Sequence, residues 1–203
     1  MASAEPGQGP FDPTLPRCWW PDGLGKADPR MVEYHDVEWA VPIDDEIALF
    51  ERFCLEVFEA GLSWALILRK RAGFRTAFAD FDPVRVATFT ERDVERLMGD
   101  AAIVRNRAKV EATIANAAAH GRLVAQEGSF ARYLAAWTET PVPRRPASDR
   151  LADVPGATPT AERLARDLSA RGYRFVGPRI VYAFMQSVGM VDDHLAGCWR
   201  YAG

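Results

Sequence analysis

The sequence predicts an all-α fold. Apolar residues recur at helical spacing in several segments, helix-start residues such as Thr, Asp and Pro stand where those segments begin, and period-two alternation is nearly absent. The only short turn signal, Asp22-Gly23, lacks alternating flanks, and no internal repeat occurs. At 203 residues and 22.6 kDa the chain suits one domain, which on folding removes roughly 70% of its extended-chain surface from water. Apolar residues make up 48%, and 15 glycines with 14 prolines are too few for wholesale disorder.

Taken in order, residues 1–16 carry Pro6, Pro10, Pro13 and Pro16 with Gly7 and Gly9 and read as a flexible tail, leaving 17–203 as the folded domain. From Asp44 the set Ile47, Phe50, Phe53, Cys54, Val57 follows helical spacing, with Asp44, Asp45 and Glu46 at the positive end of the dipole; an amphipathic helix is expected. Thr90 and Asp93 have capping-box spacing before a stripe of Val94, Leu97 and Met98, ending near Gly99. A third helix is expected over 105–120 on Val110, Ile114, Ala117 and Ala118, with Gly121 as its C-cap. Residues 139–159 hold five prolines with Arg144 and Arg145 and read as a long surface loop. Thr158-Pro159 starts a helix on Leu164 and Leu168 that stops at Gly172, and Pro178 starts another on Val181, Phe184, Met185 and Val188.

Several classes are excluded. The longest apolar run, Ile180–Met185, is far short of the roughly 20 residues of a bilayer span, so no membrane association is expected. The N-terminus lacks a basic and apolar leader, which predicts a cytoplasmic location, and three cysteines there argue against a disulfide framework. With a net charge of -3, any nucleic-acid contact must rest on a local basic patch.

The rare residues carry the first chemical signal. Three His and three Cys fall as Cys18 and His35 near one end and His194 and Cys198 near the other, with Cys54 and His120 left over. That is a Cys2His2 ligand set, and His194-x3-Cys198 puts two donors one helical turn apart. Closing it would join the ends of the domain. The alternative is buried cysteines and surface histidines.

Two aromatic-acidic clusters follow, Tyr34–Trp39 and Leu55–Trp64. Their tryptophans and Tyr34 could line one pocket around Glu56, since aromatic faces stack on a planar base for about 1 to 3 kcal/mol each and a carboxylate accepts from an exocyclic amine or favours a cationic ring. The alternative is tryptophans in the core and Glu56 on the surface. Gly61-Leu62-Ser63 brushes a nucleophile elbow, but a helix precedes it where that motif needs a strand. Gly99–Lys109 is a short break between helices with cations at the start of the second, where backbone N–H groups suit a phosphate; Arg69, Lys70 and Arg71 form a second basic cluster, and taken separately each is more often a solvated face than a DNA site.

Together Arg17–Trp20 (RCWW), Glu33–Trp39 (EYHDVEW), Leu55–Trp64 (LEVFEAGLSW), Phe81–Pro83 (FDP), Asp100–Ala117 (DAAIVRNRAKVEATIANA), Arg171–Gly177 (RGYRFVG), Ala183–Gly189 (AFMQSVG) and Val191–Cys198 (VDDHLAGC) closely resemble the 3-methyladenine DNA glycosylase I family of the helix-hairpin-helix superfamily. The resemblance covers about Arg17 to Tyr201. It implies a helix-hairpin-helix glycosylase fold, with one structural zinc ion on Cys18, His35, His194 and Cys198. It also implies a base pocket in which Glu56 and Tyr34 contact the methylated adenine, Trp64 stacks, and Trp20 and Trp39 stand nearby. The hairpin falls on Ala101–Lys109, with Ile103, Val104, Arg105, Arg107 and Lys109 as DNA contacts.

The implied reaction is hydrolysis of the N-glycosidic bond of 3-methyladenine flipped out of alkylated double-stranded DNA, the first step of base-excision repair, by a monomer needing no nucleotide cofactor. Residues 101–148 contain no Asp to match the superfamily's usual catalytic one, and Lys109 lies inside a helix, so a monofunctional enzyme using water is expected. Met31, Trp19, Ala40 and Val57 depart from the family pattern and suggest a tighter pocket, and the interval after Cys18 suggests an insertion around Asp22–Lys26. The competing reading is a zinc-stabilised protein that binds damaged DNA without cleaving it; a metal-dependent hydrolase fits poorly, because four protein ligands leave a zinc ion no open position.

Overall fold

A computed structural model describes residues 14–22, 28–143 and 153–201. Most of the expected tail (1–13), the core of the expected insertion (23–27) and the middle of the proline-rich loop (144–152) lie outside the described residues. The described residues form ten α-helices: α1 Trp19–Asp22, α2 Pro29–Val37, α3 Glu46–Glu59, α4 Trp64–Ala77, α5 Pro83–Val86, α6 Glu91–Gly99, α7 Arg107–Glu127, α8 Phe130–Ala135, α9 Pro159–Ala170 and α10 Pro178–Ser187, with a 3-10 turn over Ala79–Phe81. Extended pairing among them is limited to one backbone bond, Asp192 N to Pro143 O at 3.0 Å.

Local chemistry sets the starts. The carboxylate of Asp45 accepts from Ala48 N at 2.8 Å at the head of α3, Thr90 N donates to Asp93 Oδ2 at 2.9 Å at α6, and the hydroxyl of Thr158 accepts from Ala161 N at 3.2 Å at α9. Ser63, the serine of the elbow-like run, accepts from Leu66 N and caps α4. One expected end is wrong: α7 runs through Gly121 and is closed by Gly128 at φ 91°, because His120 and Leu123 keep one face buried past the glycine. His120, left over from the metal set, is thus inside.

The helix α3 organises the molecule. Its sequence pattern predicts one apolar face, yet every residue from Leu49 to Phe58 is buried, while Ile47, a member of the expected stripe, is 43% exposed. Two cores explain this. Leu49, Phe53 and Val57 pack with α8, α9, α10 and the far half of α7; Phe50, Cys54, Leu55 and Phe58 pack with α4, α6 and the near half of α7. A helix clamped between two cores is desolvated all round, so Glu51, Arg52 and Glu56 go inside with it. Glu51 is paired there with Arg71 and Arg75 at 3.0 and 2.7 Å.

Ala40, in the turn after α2, sits at φ 59°, a left-handed conformation that strains any residue with a Cβ. Its N–H is tied to Gln186 O at 3.1 Å, so the turn holds this shape against the strain. Ala40→Gly is expected to stabilise the fold by about 0.5–1 kcal/mol. A thermal scan should show a rise of roughly 2 °C; a fall would mean the strain is absent.

Candidate active site and metal centre

The cavity next to α3 has a volume of about 300 Å³ and is walled by Trp19, Trp20, Tyr34, Trp39 and Trp64. Glu56 and Glu59 from α3, Gln186 from α10 and Asp193 also line it. Its aromatic wall is continuous: Tyr34 and Trp64 have ring centroids 5.0 Å apart, Trp20 and Trp39 5.1 Å, and Trp20 and Tyr34 6.2 Å. Tilted and edge-on contacts of this kind hold the rings without closing the space between them. The indole Nε1 of Trp64 is buried without a hydrogen-bond partner among the described residues.

Glu56 is 6% exposed. Burial pushes its carboxyl up to about 8, Arg52 one turn earlier pulls it back down, Glu59 pushes it up and Ser187 pulls it down. Near neutral pH an empty cavity therefore holds Glu56 largely protonated, and a cation entering the cavity draws that proton off. Burial likewise raises Glu59, which Lys109 opposes.

Beside the cavity, one ligand atom each from Cys18, His35, His194 and Cys198 lie within 4.8 Å of one another, all four residues buried. The closest approaches are 3.4 Å from Cys198 Sγ to His35 Nε2 and 3.6 Å from each sulfur to His194 Nδ1. The set can hold one metal ion. Asp36 orients it: its Oδ1 takes His35 Nδ1 at 2.8 Å, which turns Nε2 toward the sulfurs. Arg17 Nη2 donates to Asp36 Oδ2 at 2.7 Å and Trp199 Nε1 to Oδ1 at 3.2 Å. Burial pushes the Asp36 carboxyl up, but these three partners more than offset it and hold it below its ordinary value. The four donors are legible in the sequence as its rare residues; the carboxylate that orients His35 is not among them, and its place beside His35 is the one signal for it.

The expected DNA-facing residues are less uniform. The break between α6 and α7 spans residues 100–106, with Asn106 capping α7 and Lys70 Nζ donating to Ala101 O at 2.6 Å. Arg105 is exposed and Val104 half-buried, but Ile103 is buried in the second core. Arg107 is exposed and paired with Glu91 at 2.7 Å and with Glu95. Lys109 corrects the sequence expectation: its ammonium turns inward and donates to Phe58 O at 2.9 Å and Ala60 O at 2.6 Å, capping the end of α3. A lysine one turn into a helix presents only the face its packing leaves open, and here that face meets α3. The basic cluster after Trp64 is equally committed. Arg71 bridges Glu38 and Glu51 at 2.7 and 3.0 Å, and Arg69 lies 3.6 Å from Asp28.

Of the four departures from the family pattern, only Trp19 lines the cavity. Met31 packs with Tyr34 and Leu68, Val57 lies in the first core, and Ala40 forms the turn described above, so none of these three is part of the cavity wall.

A helical domain of this layout, with an aromatic cavity sized for one planar ring and a helix–turn–helix break between α6 and α7, belongs structurally among the DNA glycosylases. The solved structure of 3-methyladenine DNA glycosylase I from Staphylococcus aureus superposes with a TM-score of 0.85 at 34% identity, covering 92% of this chain and 97% of that one. A second structure of a 3-methyladenine DNA glycosylase I gives 0.83 at 42% identity, covering 90% and 98%. The chain belongs to the methyladenine glycosylase family, whose profile matches residues 24–201. The DNA-3-methyladenine glycosylase 1 of Escherichia coli (strain K12) is 41% identical over 189 residues, 93% of this chain and 98% of that protein. That of Haemophilus influenzae is 39% identical over 185 residues, 90% and 96%.

Proposed function

We propose that this protein hydrolyses the N-glycosidic bond of 3-methyladenine flipped out of alkylated duplex DNA, releasing the free base and leaving an abasic site. The observation that carries the reading is a buried carboxyl, Glu56, in an aromatic cavity. Methylation at N3 gives the base a positive charge, and its leaving as a neutral ring takes up the electron pair of the C1′–N9 bond. Water then adds its oxygen to C1′ and gives up a proton. Little acid catalysis is needed, so the protein's task is to bind and orient the cation.

Tyr34 and Trp64 supply stacking faces, with Trp20 and Trp39 backing them, and Glu56 supplies the charge. An unmethylated adenine would have to bind the neutral acid or pay for its ionisation with no cation in return, so selectivity is built into the burial of Glu56. Duplex contacts fall to Val104, Arg105 and Arg107 and to the backbone of the break.

The zinc reading fits the donors. A tetrahedral ion with bonds of about 2.3 Å to sulfur and about 2.05 Å to nitrogen sets S and N donors about 3.6 Å apart. The approaches of 3.4 and 3.6 Å match that spacing. When bound, such an ion supplies folding energy through a closed four-ligand shell.

Purified protein incubated with dimethyl-sulfate-treated duplex DNA is expected to release 3-methyladenine, identified by chromatography of the free bases. Tight binding of the treated duplex with no base released by folded, zinc-replete protein would replace this reading with that of a damage-binding protein.

A further inference from the structure

Arg52 is 3% exposed, yet only one of its guanidinium nitrogens is satisfied. Nη2 donates to Glu38 Oε2 at 2.6 Å, while Nε and Nη1 are buried with no partner among the described residues. A half-satisfied cation in the interior is costly, and a hydrophobic side chain of similar size would pack there without that cost. Nor does Glu38 need it, since Arg71 Nη1 reaches both Glu38 oxygens at 2.8 and 2.7 Å. Its surroundings point to another role. The guanidinium carbon lies 4.9 Å from the centroid of the Tyr34 ring, and Arg52 precedes Glu56 by four residues on α3, which puts the two on one face.

We propose that Arg52 is a positioning residue for base excision: its guanidinium is the fixed counter-charge for the Glu56 carboxylate inside the cavity, and its contact with the ring of Tyr34 holds that wall against Trp64. The proposal rests on the glycosylase reading and gives it a second charge. The other groups around Glu56 cannot take this part. On α3, Glu59 repels the carboxylate, and its partner Lys109 from α7 is spent on two carbonyls. On the α2 side, Tyr34 is held neutral by burial and Glu38, an acid, offers no cation. Beyond α10, Asp193, also an acid, receives Tyr182 and Gln186 at 2.7 and 2.6 Å. Ser187, the least of the influences on Glu56, brings no charge, and its hydroxyl gives Phe184 O a bond of 2.8 Å. From α4, Trp64 brings no charge to the cavity and Arg71 is held by Glu38 and Glu51. The elements packed on the far side of α3 meet it with Phe81 and Phe130, with His120 of α7 held by Glu46 at 3.1 Å, and with Tyr173 edge-on to Phe53 at 5.3 Å, so no cation from that side faces Glu56. Arg52 is accordingly the chief influence pulling the Glu56 carboxyl down against burial.

The test compares Arg52→Met with Arg52→Lys in zinc-replete protein, following Glu56 by carbon NMR of its carboxyl across pH and base release as kcat/KM over the same range. Arg52→Met is expected to move the Glu56 midpoint up by at least about one pH unit, and the rising limb of kcat/KM with it, a roughly tenfold loss at pH 7. Arg52→Lys, which keeps the charge, is expected to restore most of both. Should the methionine variant unfold, Arg52→Gln carries the same comparison. A Glu56 midpoint that is the same in the charged and uncharged variants overturns the proposal. A midpoint that moves in protein releasing no base, parent included, supports the Arg52–Glu56 coupling and overturns the glycosylase reading instead.

Discussion

Glu56→Gln is expected to lower base release at least about 100-fold and, at the same time, to make the protein harder to unfold. The loss follows from removing the most deeply desolvated carboxyl of the cavity wall, the one set to turn negative on meeting a cationic ring with Trp64 at its face. The gain follows from linkage. In the folded protein Glu56 titrates near 8 because it is buried, whereas in the unfolded chain it titrates near its ordinary value of about 4.3. Between those values the folded state keeps a proton that the unfolded state has released, so its stability falls as pH rises from about 4 through about 8. Glutamine has no proton to hold and escapes that fall. The difference between variant and parent should be about 1 kcal/mol at pH 5, reach on the order of 5 kcal/mol by pH 8 and then level off. Denaturant melts at several pH values check it. A variant destabilised equally at every pH would place Glu56 in a structural role. The same ionisation predicts that kcat/KM of the parent rises with pH up to about 8, a limb that the glutamine variant lacks.

The second large effect is expected at the other end of the molecule's chemistry. Cys18→Ser removes one donor from a cluster that ties the segment before α1 and the segment after α10 to His35 on α2. Metal content should fall from about one zinc per chain, and the melting temperature by roughly 10 °C, the equivalent of several kcal/mol in a chain of this size. Base release at a temperature where both proteins are folded should change far less, because no cluster donor stands among the residues that line the cavity. A small linked effect is expected through Trp20 and Trp39, whose rings lie 5.2 Å from His35 and 4.6 Å from His194. Zinc near zero in parent protein purified without chelator would sink the metal assignment. A variant that keeps its melting temperature but loses catalysis would move the ion's role from folding to the reaction.

Much of this molecule is local and was legible in the chain. Asp45, Thr90 with Asp93, Thr158-Pro159 and Pro178 start helices wherever they stand, since each satisfies or needs no satisfaction of the orphan N–H groups of a first turn. The metal donors were legible for a different reason: they are four of only six His and Cys residues, so composition alone narrows the choice. The hydrophobic stripe of α3 was half legible. Periodicity shows the face a helix must bury and is silent about a second face that another part of the chain will cover. Here α4 and α6 cover it, and with it they bury Glu51, Arg52 and Glu56.

The sequence by itself therefore determined the helical class, most helix starts, the donor set and, through its resemblance, the chemistry to expect. Only the tertiary structure decided that α7 outruns Gly121, that Lys109 turns inward onto the end of α3, and that Glu56 lies buried at an aromatic cavity with Arg52 half-satisfied one turn before it. Caps, turns and ligand types are properties of a few neighbouring residues. Desolvation, and the charge state it imposes on a carboxyl, depends on everything that packs around the group, and those neighbours come from α2, α4, α7 and α10, scattered along the chain.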